Sequence, residues 1–373
     1  MKKVWDFVRR EAVLTAACLA AAVSMLFVPP DARYAEYIDT SVLAILFCLM
    51  LVVAGLVRLR LFDVAAARLL RATRDSRRLS LLLVNLTFFS AMLVTNDVAL
   101  LTLVPFTLGL LRGGEPKRAI FLVVMETLAA NLGSMLTPVG NPQNLYLYAY
   151  YSMEAGAFFR TMLPLGAVSW GLLMLVTALP RGEALAADDT QPAEPPRLRS
   201  KWQFAVFLAL FALCVLTVLR AVNVWICLAA VALTVLLLDR SLLRQVDFGL
   251  LLTFAAFFIF VGNLSRLEAV RQAASALLAG RELAAGVLTS QIISNVPAAI
   301  LLSGFTQNAS ALLAGVNIGG LGTLVASLAS LIAYKLYAKS ERARTGAYLK
   351  TFTLLNLLFL LVLVPVGWLL TNR

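Results

Sequence analysis

The 373-residue chain has no histidine, four cysteines and little charge: Asp, Glu, Lys and Arg make up 14% of it, while 61% is apolar. Without histidine there is no Ser-His or Cys-His nucleophile pair and no imidazole-ligated metal. Cys18, Cys48, Cys214 and Cys227 stand singly in apolar runs, without the spacing of a metal site or a structural disulfide, and read as small core residues. A Walker-type glycine loop is missing as well, so a nucleotide-driven pump is not expected. These absences point away from an enzyme and imply no cofactor. Soluble domains run near half apolar and a quarter charged, so the natural solvent for this chain is a bilayer.

Acidic residues are the scarcer charge, 20 against 32 basic ones, for a net charge of +12. The Lys and Arg residues sit in short loops and form no continuous basic face, which excludes nucleic acid and leaves membrane lipid as the expected surroundings.

What is present is a series of nine apolar stretches, 12–29, 40–57, 119–138, 161–179, 203–219, 223–238, 249–263, 309–334 and 351–370, long enough to approach ~30 Å of hydrocarbon. The first follows Lys2, Lys3, Arg9 and Arg10 and is expected to stay as an uncleaved span. Placing basic loops on the cytoplasmic side puts 25 of the 32 Lys and Arg residues inside and seven outside, with the N-terminus in the cytoplasm and the C-terminus outside. That assignment holds only if 80–111 enters and returns on one side, since basic residues flank both its ends. Thr95-Asn96-Asp97 at its middle suits a tip where one half-helix stops and another starts. The stretch 284–305, with Ser294-Asn295-Val296-Pro297 at its middle, looks the same from the opposite side.

A weak internal repeat links these features. Asn131-Leu-Gly-Ser-Met-Leu-Thr137 and Asn317-Ile-Gly-Gly-Leu-Gly-Thr323 share Asn, Gly and Thr at equal offsets. The expected fold is an all-α polytopic membrane protein of two inverted repeats, each with a re-entrant helical hairpin and a broken transmembrane helix. The first repeat is 1–180 (12–29, 40–57, hairpin 80–111, broken span 119–151, 161–179). Residues 181–220 supply a cytoplasmic linker and the connecting span 203–219. The second repeat is 221–373 (223–238, 249–263, hairpin 284–305, broken span 309–334, 351–370). Amphipathic stretches at Leu61–Thr73 and Leu267–Leu283 are expected along the interface. Inverted repeats whose discontinuous helices meet at mid-membrane indicate alternating-access transport, so the expected activity is secondary transport coupled to an ion.

Breakers and polar groups mark the site. Gly133, Pro138, Gly140 and Pro142 interrupt the third span, and Asn141 can cap the helix that begins at Pro142. The free N–H groups of that helix start suit an anion, while open carbonyls and hard side-chain oxygens suit Na⁺, with Asn96, Asp97 and Asn131 as its candidate ligands. The substrate- and ion-binding candidates are Thr95, Asn96, Asp97, Asn131, Gly133, Ser134, Thr137, Gly140, Asn141, Asn144, Ser294, Asn295, Asn317, Gly319, Gly320 and Thr323. Asp97 and Glu126, carboxylates deep in apolar segments, are the candidates for coupling to Na⁺ or H⁺. Isolated serines such as Ser90 and Ser327 read as groups that hold helices together.

Asn131-Leu-Gly-Ser through Gly140-Asn-Pro-Gln-Asn144 resembles the opened-helix motif of the ion-transporter superfamily of citrate and dicarboxylate carriers, arsenite permeases and sodium/proton antiporters. Ser294-Asn-Val-Pro-Ala298 resembles that superfamily's second hairpin tip, and the likeness spans most of the chain. It implies a permease of the cytoplasmic (inner) membrane that moves a small anion, citrate- or dicarboxylate-like or an inorganic oxyanion, as symporter or antiporter with Na⁺ or H⁺. Sodium/proton antiport and arsenite or antimonite efflux are the alternatives, with a non-transporting sensor as a remote one. The tip Thr95-Asn96-Asp97 is closer to the arsenite and sodium/proton branches. Homodimers are common in the superfamily.

Overall fold

The computed structural model describes residues 11–61, 64–66, 75–111, 115–180, 182 and 199–371. The described residues form helices and no strand: α1 (Ala12–Phe27), α2 (Tyr34–Tyr37), α3 (Thr40–Arg58), α4 (Ser76–Val94), α5 (Asn96–Leu110), α6 (Pro116–Ser134), α7 (Pro142–Tyr150), α8 (Ala155–Ala178), α9 (Lys201–Val218), α10 (Val224–Leu238), α11 (Phe248–Arg266), α12 (Glu268–Leu278), α13 (Glu282–Ile293), α14 (Asn295–Ser303), α15 (Ala309–Ile318), α16 (Leu328–Ala338) and α17 (Thr345–Thr371). Side-chain caps fix many of the starts. Asp39 accepts from Val42 N at 3.0 Å and Asp247 from Leu250 N at 2.9 Å, while α6 and α7 begin on a proline, whose missing N–H costs nothing there.

Six helices, α3, α4, α8, α9, α11 and α17, are long and apolar enough to cross a bilayer. Nine spans were expected, and the difference has a physical source. α1 and α10, at 16 and 15 residues, reach only about 24 Å and 22 Å at 1.5 Å per residue. The stretches 119–138 and 309–334 are each interrupted, giving α6 and α7, and α15 and α16. The sixth long helix, α4, was expected as a hairpin half. It starts at Ser76 behind an Asp75 cap, and its 19 residues suffice for a crossing, so length alone does not make this arm a half-helix. The helices in the second expected hairpin, α13 and α14, have 12 and 9 residues. Leu175, Leu237 and Leu361, each more than 60% exposed, mark faces of α8, α10 and α17 turned outward, as lipid contact allows.

Single residues separate two of the helix pairs. Thr95 separates α4 from α5 at φ 72°, ψ 152°, and Ser294 separates α13 from α14 at φ 76°, ψ 154°. This backbone region belongs almost entirely to glycine, and another residue held there costs on the order of 1–3 kcal/mol. The stretch Leu267–Leu283 forms α12, which is bent by 110° from α13 and carries its polar face on Glu268, Arg271 and Gln272. Most of Leu61–Thr73, the linker from 181 to 198 apart from Gly182, and the N-terminal basic cluster lie outside the described residues.

Helix pairings recur between the halves. α4 packs on α6 as α13 packs on α15, α5 on α6 as α14 on α15, and α8 on α6 as α17 on α15. Pairings across the halves match too: α5 meets α16 as α14 meets α7, and α1 meets α11 as α10 meets α3. Two groups result. α4–α8 and α13–α17 interlock, whereas α1, α3, α9, α10 and α11 form a second layer that meets the first mainly through α3 on α7 and α11 on α14.

The cysteines correct the sequence-based expectation. Cys48, Cys214 and Cys227 are fully buried and meet where α3, α9 and α10 cross, with 3.7 Å between Sγ of Cys214 and Sγ of Cys227 and Cys48 beside Cys227. They pack as core, but as one cluster, because the crossing of three helices brings together positions far apart in the chain. Cys18 is exposed.

Candidate functional site

Two asparagines in corresponding places organise the interior. Asn131, near the end of α6, accepts from Asn96 Nδ2 at 3.0 Å and from Ser327 Oγ at 2.9 Å, and donates to Ser330 Oγ at 3.2 Å. Asn317, near the end of α15, accepts from Asn141 Nδ2 at 3.1 Å and donates to Asn144 Oδ1 at 2.6 Å. Each therefore ties its own half to the broken helix of the other. The spacing from Asn131 to Asn317 equals that from Asn141 to Ser327 and from Asn144 to Ser330. Ser327 and Ser330 thus stand where the first half has Asn141 and Asn144. Ser327, read as a group that holds helices together, does so through its hydrogen bond to Asn131, and it also lines a narrow cavity. The equal spacing marks both serines, but serine and asparagine do not look alike in a residue-by-residue comparison.

The breaks are held open by amides. Asn141 caps α7 by accepting from Asn144 N at 2.9 Å, and it donates to Ser134 Oγ at 3.2 Å. Asn144 Nδ2 gathers the carbonyls of Met135 and Thr137, each at 3.0 Å. In the second half Gln291 does this work, donating to Gly319 O and Leu321 O, each at 2.9 Å, and accepting from Thr323 N. The start of α14 is tied to the same break by Asn295 N donating to Ala326 O at 2.9 Å. Gly133 and Gly140 permit close approach: a Cβ on the first would strike Phe88 O, and a Cβ on the second Ser134 O. Gly319 and Gly320 are pressed in the same way against Ser290 and Asn295.

Two adjoining cavities meet these elements. The wider, about 420 Å³, lies between α3 and the first tip and ends at Thr95, Asp97, Asn141, Gln245 and Asp247. Asp97 is half-buried, and Asp247 is near enough to act on it electrostatically. The narrower, about 10 Å³, is room for about one water. It is lined by the first residues of four helices: Asn96 and Asp97 of α5, Pro142 and Gln143 of α7, Asn295 and Val296 of α14, and Ser327 and Leu328 at the start of α16. Each helix start carries roughly half a positive charge, so four of them converge on one point, with Asp97 as the carboxylate among them. Among the described residues, no Lys or Arg lines either cavity.

Of the expected site residues, Thr95, Asn96, Asp97, Asn141 and Asn295 line a cavity. Asn131, Ser134, Asn144, Asn317 and Ser294 are buried immediately behind them. Thr137, which donates to Met92 O at 2.5 Å, and Thr323, exposed and bound to Gln291 O at 3.1 Å, brace the breaks. Asn131 and Asn317 are 4% and 2% exposed, and their amides bond the opposite half as well as their own. Glu126 lies on neither cavity. Asp247, Gln245 and Gln143 join the site without a sequence signal, because a loop carboxylate and two amides acquire a role only where the helices converge.

A model of the citrate transporter family matches residues 4–314. The chain is 32% identical to an uncharacterized transporter of Methanocaldococcus jannaschii over 325 residues, 86% of each protein. It is 34% identical to the inner membrane protein YbiR of Escherichia coli over 304 residues, 80% of each. Over 165 residues, 43% of this chain and 34% of the relative, it is 31% identical to a silicon efflux transporter of Oryza sativa.

Proposed function

The chain belongs to the citrate transporter family and is a multi-pass membrane transporter, and on that premise we propose that it carries a small anion together with H⁺ or Na⁺ by alternating access. The observation that supports this most is the meeting of four helix starts at the narrow cavity. An anion seated in the adjoining wide cavity can turn its charged end toward these backbone dipoles, which explains how a site lined by no described Lys or Arg can take negative charge. Asp97 competes for the same positive field. When its carboxylate is bare it satisfies the helix starts itself; when a proton or Na⁺ neutralises it, the anion can take its place. Obligatory company of anion and cation follows from that competition, and this is symport.

The recurring helix pairings and the basic residues at both ends of 80–111 support two inverted repeats, 1–180 and 221–373, with re-entrant tips reached from opposite faces. Arg240 and Arg244 beside the mouth at Gln245 and Asp247 put that mouth on the cytoplasmic side, so the wide cavity is the inward vestibule. The inner membrane, with the N-terminus inside and the C-terminus outside, is the location this topology gives. A homodimer remains the expectation drawn from the superfamily.

Binding tests the proposal directly. Thermal stabilisation of the purified protein by citrate, succinate, sulfate or arsenite should fall as pH rises without Na⁺, and Na⁺ should restore it at alkaline pH where it takes the proton's place on Asp97, whereas Asp97→Asn should bind its anion at every pH. One observation favours a second reading: two carboxylates and no described cation line the vestibule, and one relative is named a silicon efflux transporter. Stabilisation by silicic or arsenious acid alone, with none by any anion at any pH, would replace the anion with a neutral hydroxylated solute.

A further inference from the structure

Glu126 is the carboxylate that the central site does not use. It is fully buried on α6, and its Oε1 accepts from Thr107 Oγ1 of α5 at 2.7 Å. Among the described residues its Oε2 has no partner, and neither has the buried hydroxyl of Tyr348 on α17, which lies close enough to Glu126 to feel its charge. Thr127 lies beside Tyr348; its proton goes to Val123 O at 2.7 Å, and its oxygen can still accept from the Tyr348 hydroxyl. Among the helices packed on α6, α17 presents Tyr348, α16 presents Tyr337 and Tyr334 behind it, and α5 presents Thr107; α4, α8 and α15 bring no described group that acts on the carboxyl. No described cation balances it. An ionised carboxylate in this place would leave an unpaired buried charge, which proteins avoid by pairing or by taking up a proton.

A chain of contacts leads from Glu126 through Tyr348 and Tyr337 to a cavity. A cavity of about 350 Å³ opens between α5, α6 and the end of α16, lined by Pro105, Gly109, Pro116, Tyr337, Lys339 and Arg342. The basic loops at its rim place it on the cytoplasmic face. Tyr337 forms its inner wall. The ring stacks on Tyr348 with centroids 4.8 Å apart, and its hydroxyl accepts from Arg344 N at 3.0 Å in the rim loop. We propose that Glu126 is a second proton-binding site of this transporter, separate from Asp97, loaded from the cytoplasm through this cavity past the Tyr337–Tyr348 pair. A bound proton removes the unpaired buried charge and gives Oε2 an O–H. No bond is made or broken beyond the transfer of H⁺ from water to the carboxylate. That this proton enters the coupling cycle rests on the transport reading above; its presence on Glu126 does not, and protonation can be read without flux.

The experiment is infrared spectroscopy of the full-length protein in lipid nanodiscs, from acidic to alkaline buffer, in H₂O and in D₂O. Wild type and Asp97→Asn should share a protonated-carboxyl carbonyl band that shifts on deuteration and is lost in Glu126→Gln. Tyr348→Phe, which keeps the ring stack, should shift the band. Gly109→Phe, placed where a new Cβ meets nothing within 4 Å, should keep the band but slow its deuteration by plugging the cavity. Identical spectra for wild type and Glu126→Gln would overturn the proposal. If Glu126→Gln does not fold, a band unmoved by Tyr348→Phe and deuterated at the wild-type rate in Gly109→Phe would overturn it equally.

Discussion

Asn131 and Asn317 carry more than one duty each, and the energetics follow from their partners. Removing the Asn317 amide leaves Asn141 Nδ2 with one acceptor fewer and Asn144 Oδ1 without its donor, in a site where water is scarce. An orphaned buried polar group costs about 1–3 kcal/mol. Asn317→Ala should therefore lower the unfolding free energy by about that amount and impair transport, whereas Thr323→Ala, at an exposed brace, should cost less than half as much. Chemical denaturation of the two variants in detergent checks the ranking; equal losses would mean that the link between the halves adds nothing. Much of this site is legible in the sequence, because asparagine beside glycine and proline in an apolar run marks a helix that opens within the membrane. Its partners are not. Ser327 and Ser330 take the positions of Asn141 and Asn144, but one hydroxyl replaces a whole amide, and only the geometry shows that the role is kept. The cysteine cluster is hidden for a different reason, since contact among three helices leaves no trace in local spacing.

At the level of the element, the chain turns on Thr95 and Ser294, and the two turns agree within a few degrees although the five-residue segments that begin there share only the asparagine that follows and the alanine at 99 and 298. Conformation is set there by what surrounds the turn, not by local preference, which would have selected glycine. That is also why break positions are readable from polar residues while helix lengths are not: α4 gains its first turn from the Asp75 cap, which lies ahead of the apolar run. The orientation of the hairpins rests on the positive charges at their ends. A single cysteine at Glu115, just after the first hairpin, should be labelled by an impermeant maleimide only from the cytoplasmic face of oriented vesicles, and one at Gln307, just after the second, only from the other. Both positions are exposed. Labelling of both from one face would contradict the inverted arrangement while leaving the helix assignments intact.

For the whole molecule, the interlocked layer of α4–α8 and α13–α17 bears both tips and both breaks, and the layer of α1, α3, α9, α10 and α11 closes against it across the wide cavity. Movement between two such layers is a natural way to expose one cavity to each side in turn, because few helix contacts must change while the hydrogen-bonded core stays whole. Among the described residues the narrow cavity at the heart of that core is lined by a single carboxylate, Asp97, in the field of four helix starts. Coupling, on this account, is the neutralisation of one charge. The most direct test is uptake of an anion identified by the binding screen into proteoliposomes under an imposed inward gradient of H⁺ or Na⁺, comparing wild type with Asp97→Asn. Wild type should accumulate the anion above its external level, and Asp97→Asn should exchange it across the membrane without accumulating it. Gradient-driven accumulation by Asp97→Asn equal to that of wild type would contradict the account.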